Sequence, residues 1–404
     1  MSNYFNNRLT GVKTPFLMSL YYILCMLYSL HAHIFWHVDN TVITLAILLF
    51  TVVIHFFHAK YYTYEYFGIA VFAIIAVILG TKGNLNGYLF NVISIIPFLS
   101  FVFLKKEYKY GVFNAWRTVF CVIIGVSLFF YLLILAQVEL PYTIDYYGDV
   151  NSDSFYSARN YFVLVQLSNW YTDIALDRFQ SIFLEPGYLA CLIAMMLFID
   201  GYSFRKRKSN LLLLIALFLT FSLAGFLLFT VFYLVRVLKN SKYRFVSMTG
   251  LILLIFSIYV YGTNHNGGDN LINQFILERL QYDSDRGTIE GYNRTTEAFD
   301  EYFSEFIFTP SVVLGDAKVF ESRFAGDGAN VGIKYYIVVY GLVGLFSYIL
   351  FLLSPFFKMV RKTYLTSALF VLWFIIFARG NFVMWMSAFL ITYIYGLLIL
   401  NEQE

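Results

Sequence analysis

Of 404 residues, 60% are hydrophobic and only 13% are Asp, Glu, Lys or Arg, with a formal net charge of +3; an average soluble chain carries about 25% charged residues. Such a composition excludes an ordinary soluble enzyme and gives no support to nucleic-acid binding. It predicts an all-α, polytopic integral membrane protein, since each crossing consumes about 20 apolar residues.

The chain opens on polar residues, Met1 to Lys13, followed by apolar ones without a small-residue cleavage site. We read a retained first helix there rather than a removed signal peptide. Apolar runs then occur at 15–35, 40–58, 66–80, 85–104, 117–138, 183–203, 210–222, 225–238, 245–262, 333–356, 364–378 and 382–400. These twelve predicted crossings divide the chain into five regions. Five helices occupy 1–138 and a first large outer segment 139–182. Four helices follow over 183–262, a second large outer segment over 263–332, and three helices over 333–404. Between the seventh and eighth runs, Ser222-Leu-Ala-Gly225 reads either as a tight turn or as a break in one long helix. Two separate crossings keep the Arg205 to Lys208 cluster on the same side as Arg244.

Charge places both termini in the cytoplasm. Arg8, Lys13, Lys60, Lys105, Lys106, Lys109, Arg117, Arg205 to Lys208, Arg236, Lys239, Lys242, Arg244, Lys358, Arg361 and Lys362 then all fall inside, as retained loops require. The outer segments are acidic. Of the ten basic residues left outside, seven are arginines, whose planar fork grips phosphate or carboxylate in two-point fashion. For any one of them, pairing with a neighbouring carboxylate is the plainer reading.

The stretch Arg178-Phe-Gln-Ser-Ile-Phe-Leu-Glu185-Pro186-Gly187 leads into the sixth crossing. Pro suits the first helical turn, so Glu185 reads as a helix cap or as a carboxylate at the mouth of a cavity, poised for proton transfer or for orienting a sugar hydroxyl. Arg-x6-Glu-Pro-Gly ahead of a helix resembles the Wzy-type O-antigen and capsule polymerases. The order of later features agrees: Ser222-Leu-Ala-Gly225, a basic turn, then Asn293-Arg294-Thr-Thr-Glu, Thr309-Pro310-Ser-Val-Val-Leu-Gly315, Gly326-Asp327-Gly328-Ala-Asn330 and Tyr340-Gly-Leu-Val-Gly344. The resemblance spans about residues 155 to 350.

That resemblance implies a membrane-embedded glycosyltransferase of the C type, without metal or other cofactor, at the outer face of a bacterial inner membrane. It would join oligosaccharide repeat units carried on undecaprenyl pyrophosphate, moving the growing chain onto the next lipid-linked unit. Arg178 and Arg294 match the positions that bind pyrophosphate; Arg159, Arg279, Arg286 and Arg323 are secondary candidates by proximity in sequence. Glu185 or Asp327 would activate the acceptor hydroxyl. Membrane lipid and a separate chain-length regulator are the expected partners.

Two alternatives stand beside this. The related O-antigen ligases place a His before an Asn near the end of the large outer loop, where this chain has Ala329-Asn330. A transporter or flippase would share the crossing number but usually shows two similar halves and charges at mid-bilayer depth, and neither is visible. Among lesser features, Asp283-Ser-Asp285 is read as a chance match to a nucleotide-sugar site. His31, His33 and His37 read as interfacial residues rather than metal ligands, the tyrosines at 61–66 and 141–147 as aromatic belts, and Cys25, Cys121 and Cys191 as small buried hydrophobes. Arg379, in a very short outer turn, is placed to face the central cavity.

Overall fold

The computed structural model describes residues 14–80, 85–147, 156–167, 178–205, 207–239, 244–270, 272–283, 288–289, 295–324, 332–359 and 363–403. The chain is 76% helical. In chain order the helices are α1 (Phe16–Ser29), α2 (Asn40–His58), α3 (Phe67–Leu79), α4 (Leu85–Phe103), α5 (Lys106–Leu135), α6 (Pro186–Ile199), α7 (Ser209–Leu219), α8 (Leu223–Lys239), α9 (Arg244–Asn264), α10 (Glu297–Phe306), α11 (Ala317–Arg323), α12 (Ile333–Leu353), α13 (Tyr364–Arg379) and α14 (Ser387–Gln403). Each of the twelve apolar runs coincides with one of these; α10 and α11 lie in the second outer segment.

Among the described residues, four helical stretches are long and apolar enough to cross a membrane: Asn40–Tyr61, Lys106–Leu135, Arg244–Gly268 and Ile333–Phe357. Seven shorter apolar helices accompany them. On α2 and α9 the large side chains face outward, among them Leu49, Val52, Phe56, Phe245, Ile252 and Phe256. An apolar outer surface of that extent is rare on a protein in water and ordinary on one in lipid.

At the centre, α6 and α14 are apolar on every side, as a helix enclosed by others must be. Every residue of α6 but Gly187 is buried, and α14 is buried from Ser387 to Leu397. Helices α6 and α8 pack tightly at Gly225, where a Cβ would stand 2.4 Å from the Ala190 Cβ. No side chain fits there, so glycine sets the approach of the two helices.

Three expectations need correcting. The protein is not purely α-helical: the first outer segment holds an antiparallel sheet of β1 (Thr143–Tyr147), β2 (Tyr156–Asn160) and β3 (Val165–Leu167), in that order. A two-residue pair, β4 (Tyr282–Asp283) with β5 (Thr288–Ile289), lies in the second. Of the tyrosines read as membrane belts, Tyr146 and Tyr147 are β1 residues, and Thr, Ile and Tyr suit a pleated, half-buried strand. Third, α5 begins at Lys106 instead of 117, so Lys109 and Arg117 sit on a helix rather than in a connection. Asp200 is the C-cap of α6 and ion-pairs with Arg117 at 2.8 Å and with Arg207.

The second outer segment docks on α12 through main chain. Gly341 interrupts that helix with φ 71°, and a Cβ on it would lie 2.5 Å from Gly315 N and Leu314 C. Amide and carbonyl groups freed by the break are taken up by the incoming loop. Asp316 N–H donates to Val338 O at 2.6 Å, and Val343 N–H donates to Val313 O at 3.1 Å. Beside this joint, Phe299, Phe306 and Phe320 of α10 and α11, with Phe324 just past α11, form a small core with Val338 and Val339.

Candidate functional site

Phe179 N–H donates to Leu219 O at 2.9 Å, which lays the segment before α6 across the C-terminal end of α7. Arg178, one residue earlier, donates from Nε to Thr220 O at 2.9 Å. A guanidinium at that position meets the negative end of the helix dipole and an otherwise orphaned carbonyl. Further along the segment, Ser181 is tied to the sheet and to α5. Its carbonyl accepts from Val165 N–H at 2.8 Å, and its hydroxyl lies 2.7 Å from that of Ser127.

Glu185 occupies the N-cap position of α6 in extended backbone, with Pro186 in the first turn. Its side chain makes no capping hydrogen bond to the helix, so the helix-cap reading describes its backbone and not its carboxylate. The turn between α7 and α8 is a true reversal into a new helix. Phe221 has φ 44°, and the Ser222 hydroxyl accepts from Gly225 N–H at 3.3 Å. Ser222-Leu-Ala-Gly225 is thus the N-cap sequence of α8.

These ends enclose a cavity of about 290 Å³, at the small end of the roughly 300–1,000 Å³ typical of ligand sites. Arg178, Glu185 and Arg379 line it together with Gly187, Tyr188 and Ser222. Arg379 is the last residue of α13, a second guanidinium at a helix C-terminus. The helix ends that remain, those of α6 and α8, present N-termini to the same space. Positive helix ends are therefore exposed to the cavity while the negative ones carry arginines, an arrangement that favours an anion. Leu227 and Ile375 also line the cavity and are 57% and 42% exposed on the outer surface. Its side wall between α8 and α13 is apolar and faces outward.

Of the other candidates, Arg159 lies on β2, exposed, with its guanidinium 5.5 Å from the centre of the Tyr142 ring. Arg323, at the end of α11, stands 5.9 Å from the Tyr302 ring centre. Neither lines the cavity. Arg286, Arg294 and Asp327 lie outside the described residues, as does the Asp283-Ser-Asp285 match beyond its first residue and the Ala329-Asn330 pair. Arg279 belongs to a 3-10 turn, Glu278–Leu280, and its side chain is likewise outside the description.

His31, His33 and His37 gather at the sheet, His31 and His37 with side-chain partners and His33 held through its backbone while its buried Nδ1 has no hydrogen-bond partner among the described residues. His31 Nδ1 is 3.0 Å from the Tyr147 hydroxyl, His37 Nε2 is 3.2 Å from Asp145 Oδ1, and His33 N–H donates to Ile182 O at 2.9 Å. Burial pushes the His31 imidazole down to about 4, so near neutral pH it is uncharged. Among the described residues, no three His, Cys, Asp or Glu side chains converge to hold a metal ion. The chain matches no protein-family model, no curated protein and no solved structure.

Proposed function

We propose that the chain is a lipid-linked oligosaccharide polymerase of the Wzy type, a multi-pass protein of a bacterial inner membrane with twelve crossings and cytoplasmic termini. The observation that carries this reading is the convergence of Arg178, Arg379 and Glu185 on one cavity whose side wall is apolar and outward-facing. A polyprenyl tail lies along Leu227 and Ile375 in the bilayer while its pyrophosphate enters between the guanidinium groups and the two positive helix ends.

In the reaction, the acceptor hydroxyl oxygen attacks the anomeric carbon of the donor glycan. The bond from that carbon to the pyrophosphate breaks, and its electron pair leaves with the pyrophosphate. Fixed guanidinium groups in a water-poor site stabilise the charge that develops there. Glu185 accepts the proton of the attacking hydroxyl. Arg294 and Asp327, from the second outer segment, are assigned to the same reaction through the family resemblance alone, and a chain-length regulator is the expected protein partner.

Replacing Arg178 or Arg379 by Lys and then by Ala, with abundance in the membrane followed by immunoblot, tests the assignment. Cells carrying the Ala variants are expected to accumulate single lipid-linked repeats and lose long glycan. Lys is expected to rescue poorly, since it offers no bidentate fork. Normal polymer from both Ala variants would reject the proposal.

A further inference from the structure

At the end of the bundle opposite the cavity, five helix ends meet around a second, smaller pocket of about 100 Å³. It is lined at its polar side by Tyr66, Lys109, Lys358 and Asn401, and otherwise by apolar residues such as Ile69 and Leu398. Helix α14 fixes the separation: its start adjoins the cavity residue Val383, and Asn401 lies near its far end.

Lys109 is only 1% exposed. Its Nζ lies 3.9 Å from the centre of the Tyr66 ring, and among the described residues no ion pair or hydrogen bond reaches it. A buried ammonium is costly without a counter-charge in contact. The Glu65 carboxylate acts on Lys109 through space but forms no ion pair with it among the described residues, and Lys109 also stands in the first turns of a 30-residue helix, at the positive dipole end. Lys106, three residues away, is already ion-paired with Glu402. Lys358 brings a second positive charge to the pocket, whereas Asn401 Oδ1 is buried without a hydrogen-bond partner. The pocket therefore lacks an anion that also offers a hydroxyl.

We infer that this pocket binds the phosphodiester headgroup of an anionic membrane lipid such as phosphatidylglycerol. The phosphate takes hydrogen bonds from Lys109 and Lys358, and a headgroup hydroxyl donates to Asn401 Oδ1. A lipid is favoured over a free anion because the surroundings are interfacial. Phe67 and Phe357, next in sequence to Tyr66 and Lys358, are 59% and 64% exposed, and tyrosines 61, 62, 64 and 66 crowd the same end as an aromatic belt does. Basic pockets between helix ends on the cytoplasmic side suit anionic headgroups. The inference requires a bilayer but not the polymerase reading.

The test uses the full chain in nanodiscs of phosphatidylcholine with a minor share of phosphatidylglycerol, and counts retained phosphatidylglycerol by native mass spectrometry. Wild type is expected to keep it through exchange into pure phosphatidylcholine. Lys109→Met, which preserves volume, and Lys358→Gln, at an exposed position, are each expected to weaken retention at least about tenfold, as for loss of a charge-assisted hydrogen bond. Lys60→Gln, whose Nζ lies over Tyr61 outside the pocket, is expected to leave retention unchanged. Equal retention in wild type and both pocket variants overturns the inference, as does an equal loss in Lys60→Gln. Inorganic phosphate that displaces the lipid at equal concentration overturns the lipid assignment in favour of a free anion.

Discussion

At Gly187 a Cβ would meet no atom within 4 Å, although the residue lines the cavity. Gly187→Ala is therefore expected to leave folding and glycan length unchanged. Gly187→Phe should fill the space and stop polymer formation without lowering abundance in the membrane. A Phe variant that still makes long glycan would place the chemistry elsewhere. Glu185→Gln, isosteric but unable to take a proton, is expected to retain the lipid-linked donor while coupling falls by roughly 10²–10⁴-fold, the range of general-base catalysis. Single-turnover transfer in vesicles separates the two effects. The shared placement of Arg178 and Glu185 at one cavity was legible in the sequence because both sit on one short stretch ahead of a helix whose first turn is marked by proline. Lys109 was not legible as a site. Counted among the charges that set sidedness, it is one lysine of several near α5, and only the fold brings Lys358 to its pocket.

Among the elements, the α6–α8 contact depends on Gly225 having no side chain. Gly225→Ala forces the Cβ against Ala190, and such overpacking costs roughly 1–3 kcal/mol. A lowered midpoint in thermal unfolding is expected, and an unchanged one would mean that the helices separate freely. The sheet carries a pH prediction. His31, past the end of α1, is held neutral down to about 4, whereas an unfolded histidine titrates near 6.5. Between these values the unfolded state binds the extra proton, so the contribution is complete above about 6.5 and is lost as pH falls towards about 4. His31→Phe is expected to flatten the fall of the unfolding midpoint over that window. The helices were readable because long apolar runs with few charges leave few other structures open. The sheet was not, because its strands are three to five residues long and rich in tyrosines that serve a membrane boundary equally well.

For the whole molecule, the bundle has chemically distinct ends. One holds the cavity and the sheet; the other holds the Arg117–Asp200–Arg207 ion group and the lysine pocket. Tyr64 and Phe162 are 85% and 82% exposed at these opposite ends. Single cysteines placed there are expected to react differently with a membrane-impermeant maleimide. Phe162→Cys should label in intact cells, and Tyr64→Cys only after permeabilisation; the reverse order would invert the topology and remove the cavity from the outer face. The motifs that hold Gly315 and Gly341 entered the sequence reading only as parts of a family resemblance, and their meeting was invisible in one dimension, since the contact is between backbone atoms. The joint at Gly315 and Gly341 has a practical corollary. Because the loop supplies hydrogen-bond partners to a broken helix, the two cannot be exchanged independently between chains. A chimera that imports the loop with an unbroken helix would confront a donor and an acceptor with no mate, so a transplant has to carry residues 313–343 as a single cassette.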